Sequence, residues 1–143
     1  MDLKIERTDA LNDIYQDARS IRQAVFVGEQ GIDPQLEFDG TDGQATHYVA
    51  YVQNQPVATA RATVTDHGVH IQRVATLAAF RHRGYAKNVL QAILDDERYA
   101  GQTRFYLGAQ QTAVGLYQTL GFQQFGQPFM EVGIRHVNMV LSR

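Results

Sequence analysis

The chain has 143 residues, 44% of them hydrophobic and 20% charged, with a formal net charge of -2 and no cysteine. That length predicts one domain, residues 1–143, burying roughly two thirds of its unfolded surface. The near-neutral charge speaks against nucleic acid or an anionic membrane as a bulk partner, and the lack of cysteine excludes disulfides, thiolate metal sites and a cysteine nucleophile.

Met1 to Glu6 carry no apolar leader stretch and no apolar run approaches a membrane span, so cytoplasmic residence is the default expectation. Residues 3–6 read as a first strand, with Thr8 or Asp9 capping the segment that follows. Leu11, Ile14, Tyr15, Ala18, Ile21, Val25 and Phe26 then recur at helical spacing, with a break expected near residues 17–20. Residues 28–43 form a long polar loop punctuated by Gly31, Pro34, Gly40 and Gly43 and pinned by Ile32, Leu36 and Phe38. An ordered loop of that length is more often functional than idle.

Three strands follow at residues 46–52, 57–65 and 69–77, with tight turns at Asn54-Gln55-Pro56 and Asp66-His67-Gly68. Ala86, Val89, Leu90, Ile93 and Leu94 mark one helical face, residues 103–107 a strand, and residues 111–120 a short helix stopped by Gly121. A final hairpin is expected to divide near Gly126-Gln127-Pro128. Strand, helices, three strands, helix, strand, helix and two strands make a mixed α+β sheet with helices on both faces.

The junction Arg81-His82-Arg83-Gly84-Tyr85-Ala86 lies between a strand and a helix N-terminus. There the unpaired backbone N–H groups and the helix dipole favour an anion. Gly84 permits close approach of a ligand, Ala86 keeps the first turn uncrowded, and Arg81, His82, Arg83 and Lys87 add positive charge. The spacing suits a pyrophosphate, yet it is neither a P-loop nor a dinucleotide fingerprint, because Gly84 has no glycine partner at the required offsets. A solvated basic helix start would use the same residues.

The form Arg-x-x-Gly-x-Ala resembles the acetyl-CoA signature of the GNAT superfamily of N-acetyltransferases. Tyr117-Gln118-Thr119-Leu120-Gly121-Phe122 is similar to the Tyr-x-x-x-Gly-Phe that follows the fifth strand in that family. Residues 21–30, 37–42, His47, Ala109-Gln110 and 129–139 resemble the ElaA/YjcF-type branch, so the resemblance spans nearly the whole chain. It implies a central, mostly antiparallel sheet whose fourth and fifth strands splay apart around the cofactor. It implies acetyl-CoA as the cofactor, with Val74, Ala75, Thr76, Arg81, His82, Arg83, Gly84, Tyr85, Ala86, Lys87, Gln110 and Tyr117 as its contacts. Tyr117 would act as general acid to the CoA sulfur; the bland alternative is a core aromatic. Ala86 replaces the commoner second glycine, and Thr76 stands where an apolar β-branched residue is usual. Homodimers are common in the family, and no residue here establishes one.

An amine acceptor must lose a proton before it attacks, since a lysine-like amine has a pKa of about 10.4. Candidate bases and acceptor contacts are Glu29, Glu37, Asp39, His47, Glu131 and His136, with Glu37 and Asp39 first in line. The loop acids, Asp33 and Asp42 included, would attract a cationic amine or simply face solvent. His67-Gly68-Val69-His70 lies in a turn with no third ligand, so no metal site is expected. Phe105, Phe122, Phe125 and Phe129 read as core, the last two also as candidates to line an acceptor pocket. The expected activity is N-acetyl transfer from acetyl-CoA to a small primary amine. The alternatives are a protein lysine or N-terminal acetyltransferase, or a non-catalytic acyl-CoA-binding module.

Overall fold

Seven strands pair in the order β1-β2-β3-β4-β5-β7-β6 in the computed structural model, which describes residues 2–143. Strands β1 (Leu3–Thr8), β2 (Thr46–Val52), β3 (Gln55–Thr65) and β4 (Gly68–Thr76) form an antiparallel meander. Strand β5 (Arg104–Gln110) lies parallel to β4, and β7 (Ile134–Ser142) inserts antiparallel between β5 and β6 (Gln123–Glu131).

Period-two alternation gives the sheet two apolar faces. Tyr48 and Ala50 of β2, with Ala58, Ala60 and Ala62 of β3, face helix α3 (Tyr85–Leu94), which contributes Val89, Leu90 and Ile93. Val49 points the other way, onto Ala18 and Ile21 of helix α1 (Asp13–Arg22) and onto Val25 and Phe26 beyond it. Fully burying each of the valine, leucine, isoleucine and phenylalanine side chains among them contributes about 1.5–3 kcal/mol.

Strands β4 and β5 share only two register pairs, Val69 with Phe105 and His70 with Tyr106, and then part. Gly68 makes the close start possible, because a Cβ there would sit 2.2 Å from the Arg104 carbonyl oxygen. Past His70, β4 bulges: Arg61 faces Gln72 while Thr59 faces Ala75, so β4 carries one extra residue. Arg73 takes a left-handed φ of 57° at that bulge. The inserted residue inverts the alternation. Val69 and Ile71 face α3, whereas Ala75 faces the α1 side. The splay expected from the family resemblance is therefore present.

Several boundaries differ from the sequence reading. Asn12, rather than Thr8 or Asp9, caps α1, its side chain accepting from the Tyr15 amide at 3.2 Å. No break falls at residues 17–20; α1 runs unbroken to Arg22 and widens into a π-helical stretch, Gln23–Glu29. Residues 28–43 are more ordered than a loop, holding a short helix α2 (Pro34–Glu37) capped by Asp33. The final hairpin turns at Val132 and Gly133, both with positive φ, the geometry that matches strand twist. Gly126-Gln127-Pro128 instead marks an irregularity inside β6, between Phe125 and Phe129. A last helix, α4 (Val114–Thr119), follows β5. No helix among the described residues is long and apolar enough to cross a membrane.

Candidate active site

Parting two parallel strands leaves unpaired edges facing each other, residues 71–76 of β4 and 107–110 of β5. The gap opens into a cleft of about 920 Å³ that runs through the sheet. On the α3 face its wall includes His82, Gly84, Ala86, Lys87 and Tyr117; on the α1 face it includes Phe26, Ile32, Leu36 and Glu37. The hairpin of β6 and β7 closes the third side, and its Ile134 packs against the α1-side core.

The helix start is shaped for an anion. Gly84 caps α3 with φ 84°, and no atom lies within 4 Å of where its Cβ would be. The open space and the first-turn amides of α3 fit the pyrophosphate of a coenzyme A derivative. Lys87 lines this end and has no ion-pair partner among the described residues. Arg83 lies outside the wall, its guanidinium 5.7 Å from the Phe80 ring centroid. Arg81 differs from the simple expectation of free positive charge. Its guanidinium grips Glu29 through two hydrogen bonds of 2.9 and 2.6 Å, and its Nε donates to the Thr76 carbonyl at 3.0 Å.

Tyr117 lines the cleft at 5% exposure, with Phe122 edge-on at 6.0 Å. Burial pushes its phenol above the usual range, so the hydroxyl keeps its proton at every physiological pH. Among the described residues nothing hydrogen-bonds to that hydroxyl.

The profile of the Acetyltransferase (GNAT) domain matches residues 15–143. The chain belongs to the GNAT acetyltransferase family. It is 36% identical over 140 residues to YyaT, an uncharacterized protein of Bacillus subtilis, the match covering 96% of this chain and 94% of that one. The crystal structure of Escherichia coli ElaA superposes with a TM-score of 0.84 at 26% identity, over 98% of this chain and 99% of ElaA, as the resemblance implied. A GNAT family acetyltransferase from Elizabethkingia anophelis solved with acetyl-CoA bound shares the fold at 16% identity, TM-score 0.72, over 99% of each chain.

Within this GNAT acetyltransferase the remaining candidates separate into cleft and scaffold. Val74, Ala75, Thr76, Tyr85, Gln110, Glu131 and His136 line the cleft. Gln110 is paired with Gln30, each side-chain amide donating to the other at 3.0 and 3.2 Å. Glu29, Asp39 and His47 do not line it. Asp39 accepts from the Thr41 amide and hydroxyl, and the hydroxyl bond leads in holding its carboxyl below the usual range. His47 is 1% exposed, its Nε2 donating to the Asp42 carbonyl at 3.0 Å and its ring edge-on to Tyr15. Burial lowers its pKa and keeps it neutral.

Glu37, expected first as the base, reaches the cleft with both oxygens engaged. Arg22 Nε donates to one at 2.7 Å and Arg73 Nε lies 3.1 Å from the other. Arg22 also bonds Asp42 at 2.8 Å, as does Arg61 at 2.6 Å, and Tyr15 donates to the second Asp42 oxygen at 2.7 Å. Burial raises the Asp42 carboxyl, but the Tyr15 and Arg22 hydrogen bonds and the neighbouring charges outweigh it and hold it at about 2. With Asp39 3.7 Å from Arg73, three guanidiniums and three carboxylates make a self-neutralised cluster, of which Glu37 and Arg73 line the cleft. The tyrosine-and-arginine clamp was invisible in the sequence, and His70, weighed there only as a metal ligand in a turn, lies in β4 and lines the cleft, stacked on Tyr106 at 4.5 Å. A histidine at the point where two parallel strands part is the signal that could have flagged it.

Proposed function

We propose that this protein transfers the acetyl group of acetyl-CoA to a primary amine of a small molecule, with both bound at once. The observation that carries the reading is the cleft through the sheet, with an anion cradle on one face and, on the other, Glu131 and His136 without an ion-pair partner among the described residues. When bound, acetyl-CoA supplies an acetyl group activated as a thioester.

The chain's own residues divide the remaining work. The α3 first-turn amides and Lys87 neutralise the pyrophosphate. The open edge of Val74, Ala75 and Thr76 offers backbone partners to the pantetheine amides. Tyr117 donates its proton to the departing sulfur, a step that such a positioned acid typically accelerates about 10²–10⁴-fold. For the amine's proton we assign His136 in place of Glu37. Its Nδ1 lies 2.8 Å from the Ile134 carbonyl oxygen, which can only accept, so in the neutral ring the lone pair is on Nε2. Phe129 stacks on the imidazole at 5.7 Å and holds its plane. Glu37 serves to clamp Arg22 and Arg73.

The segment 30–37 forms one cleft wall and the Gln30–Gln110 pair spans to β5, which supports a small acceptor rather than a peptide laid across an open groove. Acetyl-CoA is a cytoplasmic metabolite, so the reaction is placed there. Isothermal titration with acetyl-CoA beside free CoA and ATP tests the reading. Micromolar acetyl-CoA binding with CoA release on an amine panel supports it; no binding of either CoA species overturns it.

A further inference from the structure

The two mouths of the cleft differ in chemistry. On the α3 face the uncompensated charge is positive, from Lys87 and the helix start. On the α1 face the guanidiniums of Arg22, Arg61 and Arg73 are matched by Glu37, Asp39 and Asp42. The one carboxylate of this mouth with no ion-pair partner among the described residues is Glu131, on β6 just before the hairpin turn. Its negative charge is felt by His70 on the opposite wall, where burial is what keeps the imidazole neutral.

Around Glu131 the wall is apolar. Leu36 and Val132 are 55% and 43% exposed and both line this mouth, with Ile32, Phe26 and Phe129 deeper in. Large apolar side chains left open beside a cavity mark the place where a ligand covers them. Three of the polar side chains that a sugar could use are spent, Gln30 on Gln110, Gln72 on Arg61 and the Glu37 carboxylate on two arginines, which leaves Asn138, among the described residues, as the open side-chain amide of this mouth. A polyamine would need several carboxylates along its length, and the mouth offers one.

We propose that the acceptor is a primary amine on an apolar body, its ammonium received beside Glu131 and its hydrocarbon or aromatic part covering Leu36 and Val132. This inference rests on the acetyl-transfer reading above and specifies the acceptor. Glu131 is exposed, so loss of its charge costs about two- to fivefold in amine affinity.

The test uses 2-phenylethylamine and hexylamine against spermidine, glucosamine and a lysine peptide, following CoA release, with acetyl-CoA affinity measured separately. The expected result is kcat/KM at least tenfold higher for the two apolar amines. Glu131→Gln then raises their KM about two- to fivefold while acetyl-CoA affinity holds. Leu36→Ser, at an exposed position that folding tolerates, raises KM for hexylamine severalfold. Preference for spermidine, glucosamine or the peptide overturns the proposal, as does an unchanged amine KM in Glu131→Gln. So does acetyl-CoA binding without acetylation of either apolar amine, which leaves the cofactor site standing. Absence of acetyl-CoA binding brings down the acetyl-transfer reading itself.

Discussion

Removing one oxygen atom, in Tyr117→Phe, separates a catalytic phenol from a packing ring. The hydroxyl has no hydrogen-bond partner among the described residues, so its loss orphans no donor or acceptor. The ring keeps its edge contact with Phe122 and its place in the core. Stability should therefore stay within about 0.5 kcal/mol of the parent, since the hydroxyl opens on the cleft and is not sealed inside the core. Turnover should fall about 10²–10⁴-fold, equivalent to roughly 2.7–5.4 kcal/mol of barrier at about 1.36 kcal/mol per decade. Affinity for acetyl-CoA should change less than about threefold, because the phenol's proton matters only as the C–S bond breaks. The assay is kcat from CoA release, calorimetric affinity and urea unfolding on the same preparations. Burial pushes this phenol upward, so its deprotonation should add no alkaline limb below about pH 10. A fall of less than tenfold, or a parallel loss of acetyl-CoA affinity, would refute the general-acid assignment and leave Tyr117 as packing.

Other perturbations follow from the charged wall and the cradle. Arg22→Ala removes one of the two guanidiniums held by each of two buried carboxylates, leaving Glu37 to Arg73 and Asp42 to Arg61, and should cost about 2–4 kcal/mol in urea unfolding; a cost under about 1 kcal/mol would mean that water reaches the cluster. On acidification the unfolded chain protonates at His47 from about pH 6.5 while the native ring, lowered by burial, resists, so stability begins to decline there. Asp42 and Asp96 are both held at about 2 against 3.8 unfolded, so the roughly 2 kcal/mol that each contributes is present above pH 4 and lost as pH falls toward 2. A stability curve flat from pH 7 to pH 3 would contradict both shifts. Lys87→Gln should weaken acetyl-CoA binding about two- to fivefold, whereas Glu29→Gln should tighten it by a similar factor, because Arg81 loses the carboxylate that neutralises it. Equal and opposite movement absent in calorimetry would place the pyrophosphate elsewhere.

Most of the architecture was legible from spacing alone. The apolar stripe from Ala86 to Leu94 built α3, the β-branched and aromatic run in residues 46–52 built β2, and Gly84 met the demand for a left-handed cap before α3. The misplaced hairpin has a physical cause. Gly126-Gln127-Pro128 looks like a turn by composition, yet β7 continues to pair on both sides of it, and Val132 accepts a positive φ to make the real one. The bulge at Arg73 leaves no trace in composition, although it inverts which face each later β4 residue occupies.

The sequence by itself determined the order of elements, their apolar faces and the Gly84 cap of α3, because each depends on residues close together in the chain. Partner choice among charges was decided only in three dimensions. Arg22 meets Glu37 fifteen residues away and Asp42 twenty away, and Arg81 meets Glu29 across fifty-two. A carboxylate in a chain looks the same whether it is free to bind a proton or gripped by two guanidiniums. Burial and long-range contact therefore paired Glu37 with two arginines and left Glu131 and His136 in the cleft wall without an ion-pair partner among the described residues.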